Sequence, residues 1–189
     1  MTAKPQYDPS AKSRQPYRRS EKDMVNPVLP EDAMARAIAL SQEAISQGSG
    51  PPFGAVIVKD GAIVGEGFNH VHAHNDPTAH AEIVAIRNAC KTLEAPFLDG
   101  CILYSSSEPC PMCMSAIYWS RISAVRFATD RNATARAGFD DRKLYAELQR
   151  PLAEREISMI QMMAEEGQST FDIWTQGGRS AVQTTLNEE

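Results

Sequence analysis

The chain has 189 residues, of which 42% are hydrophobic, an ordinary share for a single globular domain with tails, and no apolar run approaches the length of a membrane span. A formal net charge of −5 argues against nucleic acid as a partner. The opening Met1-Thr2-Ala3-Lys4-Pro5 leads into no apolar segment of secretory type, and four cysteines in metal-type spacing point to reduced thiols in the cytoplasm.

Residues 1–30 are rich in proline and basic, with Lys4, Lys12, Arg14, Arg18, Arg19 and Lys22. Tyr7 and Tyr17 make a thin stacking platform for RNA, so this stretch is expected as a polar, flexible tail. A domain is expected over 31–176. Its first helix follows Pro30 and runs to about Gln47, with Met34, Ala37, Ile38, Ala44 and Ile45 on the helical period and Gly48 past its end. Gly54–Lys59 and Ala62–Phe68 read as a hairpin around the two-residue turn Asp60-Gly61. The loop from Asn69 to Asn75 carries His70, His72 and His74, read as surface residues. Asp76-Pro77 has the form of an N-cap and first helical residue, with the helix continuing to about Leu93.

A strand over Cys101–Ser105, a helix from Cys110 through Trp119 and a strand over Ala124–Thr129 follow. Helical sequence from Asn132 to Arg150 surrounds the loop Gly138-Phe139-Asp140-Asp141. Ile157–Met163 reads as a last strand, and Ser169 as the cap of a short helix carrying Phe171 and Trp174. Residues 177–189 form a polar tail. This order predicts an α/β protein, a three-layer α/β/α sandwich around a mixed sheet.

The chemistry gathers in two places. Cys110 and Cys113 stand three apart at a helix start, so their sulfurs share a face, and the helix N-terminus favours the thiolate that a metal requires. Upstream, His80-Ala81-Glu82 supplies a third ligand. Zn²⁺ with three protein ligands keeps its fourth position open, the catalytic arrangement. Two thiolates and a neutral imidazole cancel the charge of the ion, so water there needs a base, and Glu82 is placed to be one. The alternative is a structural four-cysteine site completed by Cys90 and Cys101, but these lack the spacing of a second C-x-x-C and fall in apolar segments.

The order H-x-E … P-C-x-x-C is a signature of zinc deaminases. With it, the chain from about Met34 to Trp174 resembles the cytidine deaminase superfamily, and within it the small bacterial guanine deaminases. The finer likeness rests on Pro52-Phe53-Gly54, Asn69, the run Asn75 to Glu82, Tyr118-Trp119 and Gly138 to Asp141. The resemblance implies that Phe53 stacks on the base, Asn69 hydrogen-bonds its edge, the backbone at Ala81 meets a carbonyl, Asp141 accepts from N–H groups and Trp119 walls the pocket. It also implies zinc as cofactor, a purine base as substrate with guanine giving xanthine and ammonia, and a homodimer in which a C-terminal segment closes the neighbour's site. Phe171 and Trp174 match that segment, whereas Gly177 onward offers no aromatic to cap the pocket. A deaminase of tRNA adenosine, or of guanosine or another amino-heterocycle, and a zinc-stabilised binding module without catalysis are the rival readings.

Overall fold

The computed structural model describes residues 27–176. The basic N-terminal stretch up to residue 26 and the polar stretch from Gly177 onward lie outside the described residues. Those described fall into two compact units, 27–148 and 149–176.

The first unit holds α1 (Pro30–Ser46), β1 (Gly54–Lys59), β2 (Ala62–Phe68), α2 (Val71–His74), α3 (Ala81–Thr92), β3 (Ile102–Ser107), α4 (Pro111–Trp119), β4 (Ala124–Thr129) and α5 (Arg131–Arg136), and α6 (Arg142–Gln149) leads out of it. The strands make one mixed sheet in the order β2-β1-β3-β4, antiparallel at the first two pairings and parallel between β3 and β4. Alternation along β1 and β3 sends side chains to two cores. Val56, Val58 and Tyr104 meet Ala33, Ala37 and Leu40 of α1, while Ala55, Ile57 and Leu103 meet Ala81, Ala85 and Ala89 of α3 and Ile117 of α4. The result is the expected three-layer sandwich. No helix among the described residues is long and apolar enough to cross a membrane.

The hairpin turn is as the sequence predicts, with Asp60 and Gly61 at φ 51° and 79°. Four other expectations change. Asp76 does not cap α3: its Oδ1 accepts from the N–H and hydroxyl of Thr78 at 2.8 and 2.6 Å, which closes a local turn, and the helix begins at Ala81 after an extended His80. The loop after Asn69 contains the short helix α2.

In the second unit, Ile157–Met163 is not a strand, since it has no ladder partner among the described residues, and Ile157, Ile160 and Met162 are about 80% exposed. Apolar β-formers make a strand only where an edge offers hydrogen bonds. Ser169 does not cap a helix either. It lies inside α7 (Ala164–Gln176), donating its hydroxyl to Glu166 O at 2.6 Å.

Candidate active site

His80 and Cys110 hold equivalent places. Each precedes a helix, α3 and α4, with extended backbone at ψ 156° and 168°, and neither spends its side chain on capping. Pro111 takes the first helical position, where a missing N–H costs nothing, and Cys113 follows within the same turn. The side chains converge: His80 Nδ1 lies 3.6 Å from Cys110 Sγ and 3.5 Å from Cys113 Sγ. Tetrahedral zinc with ordinary Zn–S and Zn–N bonds puts its sulfur and nitrogen ligands about 3.6 Å apart, so the three atoms fit that ion. Among the described residues this is the one group of three such side chains gathered closely enough to hold a metal.

The sulfurs are also electronically prepared. Contact with Cys113 and, against burial, the bond to His80 pull the Cys110 pKa down to about 4. Cys113 is pushed up by the same contact and by burial. A metal takes both sulfurs as thiolates, so binding releases the remaining thiol proton. Cys90 and Cys101 stand apart from the group, and burial raises both thiols, Cys101 to about 11. This excludes the four-cysteine reading.

Glu82 is the second residue of α3 and is buried, 6% exposed. Its Oε2 accepts from Cys113 Sγ at 3.4 Å and its Oε1 from the Ser105 hydroxyl at 3.5 Å. Burial first, then the nearby Cys110 thiolate, pushes its pKa above the usual carboxylate range. A carboxyl that holds a proton this readily, beside a metal group but outside it, suits general acid–base work. Gly67 sets its depth. A Cβ there would lie 2.6 Å from Ala81 O and Ala85 N, so only glycine lets the start of α3 press onto β2.

These groups open onto a cavity of about 390 Å³ that Phe53, Asn69 and Asp141 also line. A larger hollow of about 500 Å³ lies beside Arg36 and Glu66, away from the metal group, and its arginine is already paired to Glu43 and Glu66. Asn69 is buried, and its Oδ1 accepts from Val71 N–H at 3.0 Å. The oxygen is thereby engaged, and the amide presents its NH₂ to the cavity as a donor. Asp141 is half-buried, with a pKa raised first by burial and then by Cys110. Its neighbour Asp140 differs: Arg142 Nε holds it at 2.8 Å, and its pKa falls to about 2. Ala81 opens α3, where N–H donors have no intrahelical acceptor.

The structure does not bring Trp119 to this cavity. It ends α4 and is 65% exposed. It does bring in Phe139, which meets Phe53 edge-on with centroids 5.2 Å apart, and Glu108. An aromatic within a Gly-Asp loop was the available signal for Phe139. Glu108 gave none beyond its adjacency to Pro109-Cys110. The alternating histidines stay outside the metal group, with the His70 and His74 rings stacked 4.7 Å apart.

Gly50 fixes the seat of Asn69, since a Cβ on it would fall 2.1 Å from Asn69 Oδ1. Gly50→Ala is expected to displace the amide, cut kcat/KM about tenfold or more and leave zinc content unchanged, measured by steady-state kinetics beside metal analysis.

Fold and site together define an α/β domain with a metal-binding His/Cys/Cys group and a buried carboxylate at one cavity. A family model described as the cytidine and deoxycytidylate deaminase zinc-binding region matches residues 28–129, and the chain belongs to this family. It is 54% identical over 144 residues to the guanine deaminase of Bacillus subtilis (strain 168), covering 76% of this chain and 92% of that one. The crystal structure of a guanine deaminase from Bacillus subtilis superposes with a TM-score of 0.77 at 48% identity, over 86% of this chain and 99% of that one. The chain is also 41% identical over 120 residues to the tRNA-specific adenosine deaminase of Haemophilus influenzae, covering 60% of this chain and 69% of that one.

Proposed function

We infer that the protein is a zinc-dependent guanine deaminase that converts guanine and water to xanthine and ammonia. The 54% identity to a guanine deaminase over nearly all of that enzyme's length carries this reading, and the site has the chemistry for it. His80, Cys110 and Cys113 would hold zinc, which when bound would supply the Lewis acidity for activating water. Glu82 takes a proton from the attacking water and passes it to the ring nitrogen beside the amino-bearing carbon. It then takes the remaining proton of the added hydroxyl, which becomes the new carbonyl, and hands it to the amino nitrogen as the C–N bond breaks and ammonia departs. Phe53 stacks on the base, Asn69 donates to a ring acceptor or carbonyl, the Ala81 N–H meets a carbonyl, and Asp141 accepts from ring or amino N–H. Guanine offers such an acceptor an adjacent ring N–H and amino group, a pair of neighbouring donors that adenine and cytosine lack.

The test is xanthine and ammonia formation from guanine beside adenine, cytosine, guanosine and tRNA at matched concentration. Guanine is expected to lead, and Asn69→Ala and Asp141→Ala to lose at least about tenfold in kcat/KM with zinc retained. Faster turnover of tRNA would favour the rival reading, which the likeness to tRNA-specific adenosine deaminases raises.

The protein is further read as a cytoplasmic homodimer that exchanges its C-terminal segment and acts in purine breakdown. β4 ends the sheet with one edge unpaired among the described residues, and Tyr118, Trp119 and Phe127 are 46–65% exposed. Residues 149–176 expose Ile157, Ile160, Phe171 and Trp174, the surface a second copy would need. Ending the chain at Glu156 is expected to give a monomer by light scattering that binds zinc but turns over guanine at least about tenfold more slowly. A fully active dimer of that length would refute the exchange.

A further inference from the structure

Glu108 is a carboxylate on the cavity wall that the reaction does not use. It follows β3 and precedes Pro109-Cys110, and its N–H donates to Thr129 O at 2.8 Å, which locks it to the end of β4. Its carboxylate does two things to one residue. Oε2 accepts the backbone N–H of Arg131 at 3.0 Å, and Oε1 lies 3.8 Å from the Arg131 guanidinium. That guanidinium also rests over the Tyr145 ring, 5.0 Å from its centroid. Tyr145 is one turn along from Asp141, to whose carbonyl its N–H donates at 3.3 Å. The cation is therefore parked beside the helix start that carries Asp141, yet among the described residues the Asp141 carboxylate makes no ion pair and no hydrogen bond beyond that to its own backbone.

An exposed arginine next to a half-buried carboxylate pairs with it unless something else holds the arginine. We propose that Glu108 is a positioning residue that, with the face of Tyr145, holds the Arg131 guanidinium off Asp141, so that Asp141 meets the substrate as an unpaired acceptor. This rests on the reading of Asp141 as the acceptor for guanine N–H groups. Electrostatics agree: the Arg131 charge pulls the Asp141 carboxyl down and Glu108 pushes it up, so each is close enough to be felt. The competing account makes Glu108 a staple of α5 alone, through its bond to the Arg131 backbone.

The two accounts separate in a double-mutant cycle with guanine as substrate and zinc content as control. Glu108→Gln keeps an oxygen for the Arg131 N–H but loses the charge that holds the guanidinium. It is expected to raise KM about tenfold or more, with kcat changed less than about threefold and one zinc per chain. Arg131→Ala alone is expected to stay within about threefold of the parent, and adding it to Glu108→Gln to restore KM to that range. A parental KM in Glu108→Gln, or a double variant as impaired as the single one, overturns the proposal. Should Glu108→Gln lose its zinc, Tyr145→Leu with and without Arg131→Ala decides in the same way, by a raised KM that the second change restores or fails to restore. Asp141→Asn separates the underlying reading. Unchanged guanine kinetics there overturn Asp141 as acceptor and the proposal with it, whereas a loss there without the Glu108 effect overturns the proposal alone.

Discussion

Cys113→Ser is expected to yield protein without zinc that melts well below the parent. Cys113 is fully buried at the junction of α3 and α4, and its sulfur lies within 3.5 Å of both His80 Nδ1 and Glu82 Oε2. Serine is a poor ligand for this ion and leaves two, too few for a tight tetrahedral site. Metal that binds only the folded chain stabilises it by linkage, about 4 kcal/mol when free zinc stands a thousandfold above Kd. For a chain of this size that is about 8–16 °C in melting temperature. Metal analysis and melting curves with and without a chelator check it. The parent should fall toward the variant on chelation, while the variant should not respond. Full zinc occupancy with an unchanged melting temperature in Cys113→Ser would remove Cys113 from the metal site.

Glu82→Gln is expected to keep its zinc and lose at least about a hundredfold in kcat, the usual size of a general acid–base contribution. Glutamine fills the same space and can still meet Cys113 and Ser105, but it cannot carry a proton between water, ring and amine. Stability should move the other way. Because burial raises the carboxyl pKa, the folded chain disfavours the ionised form. In zinc-free protein this penalty is absent at pH below the ordinary carboxylate value. It grows as pH rises toward the raised folded value and is full above it. At neutral pH the chelated Glu82→Gln protein is therefore expected to melt no lower than the chelated parent. Retained turnover would exclude Glu82 from the mechanism, and a melting temperature well below the parent would show that the carboxylate supports the fold.

Several features were legible because their cause is local. The Asp60-Gly61 hairpin needs only the backbone freedom of those two residues. The Cys110–Cys113 pair and the His80–Glu82 pair each follow from spacing at a helix start, and Pro111 marks one of those starts. Asp76-Pro77 misled because an aspartate that accepts from Thr78 closes a turn with the same residues that cap a helix elsewhere. Ser169 misled for the same kind of reason, since a hydroxyl bonds its own helix carbonyl as readily as it caps one.

What the sequence by itself determined was the grouping of His80, Cys110 and Cys113, the carboxylate of Glu82 beside it and the order of layers, each set by side chains within a few positions of one another or by the apolar period of a strand or helix. Only the tertiary structure decided the rest. The bond from Val71 to Asn69 Oδ1 and the bare Cα of Gly50 make Asn69 a donor, and those three residues meet only once the loop folds on itself. Phe139 joins Phe53 across 86 residues of chain, Arg142 takes Asp140 and leaves Asp141 free, and Trp119 stays on the outside. Ile157–Met163 has strand composition and no strand among the described residues, because a ladder requires a second edge that no periodicity can supply.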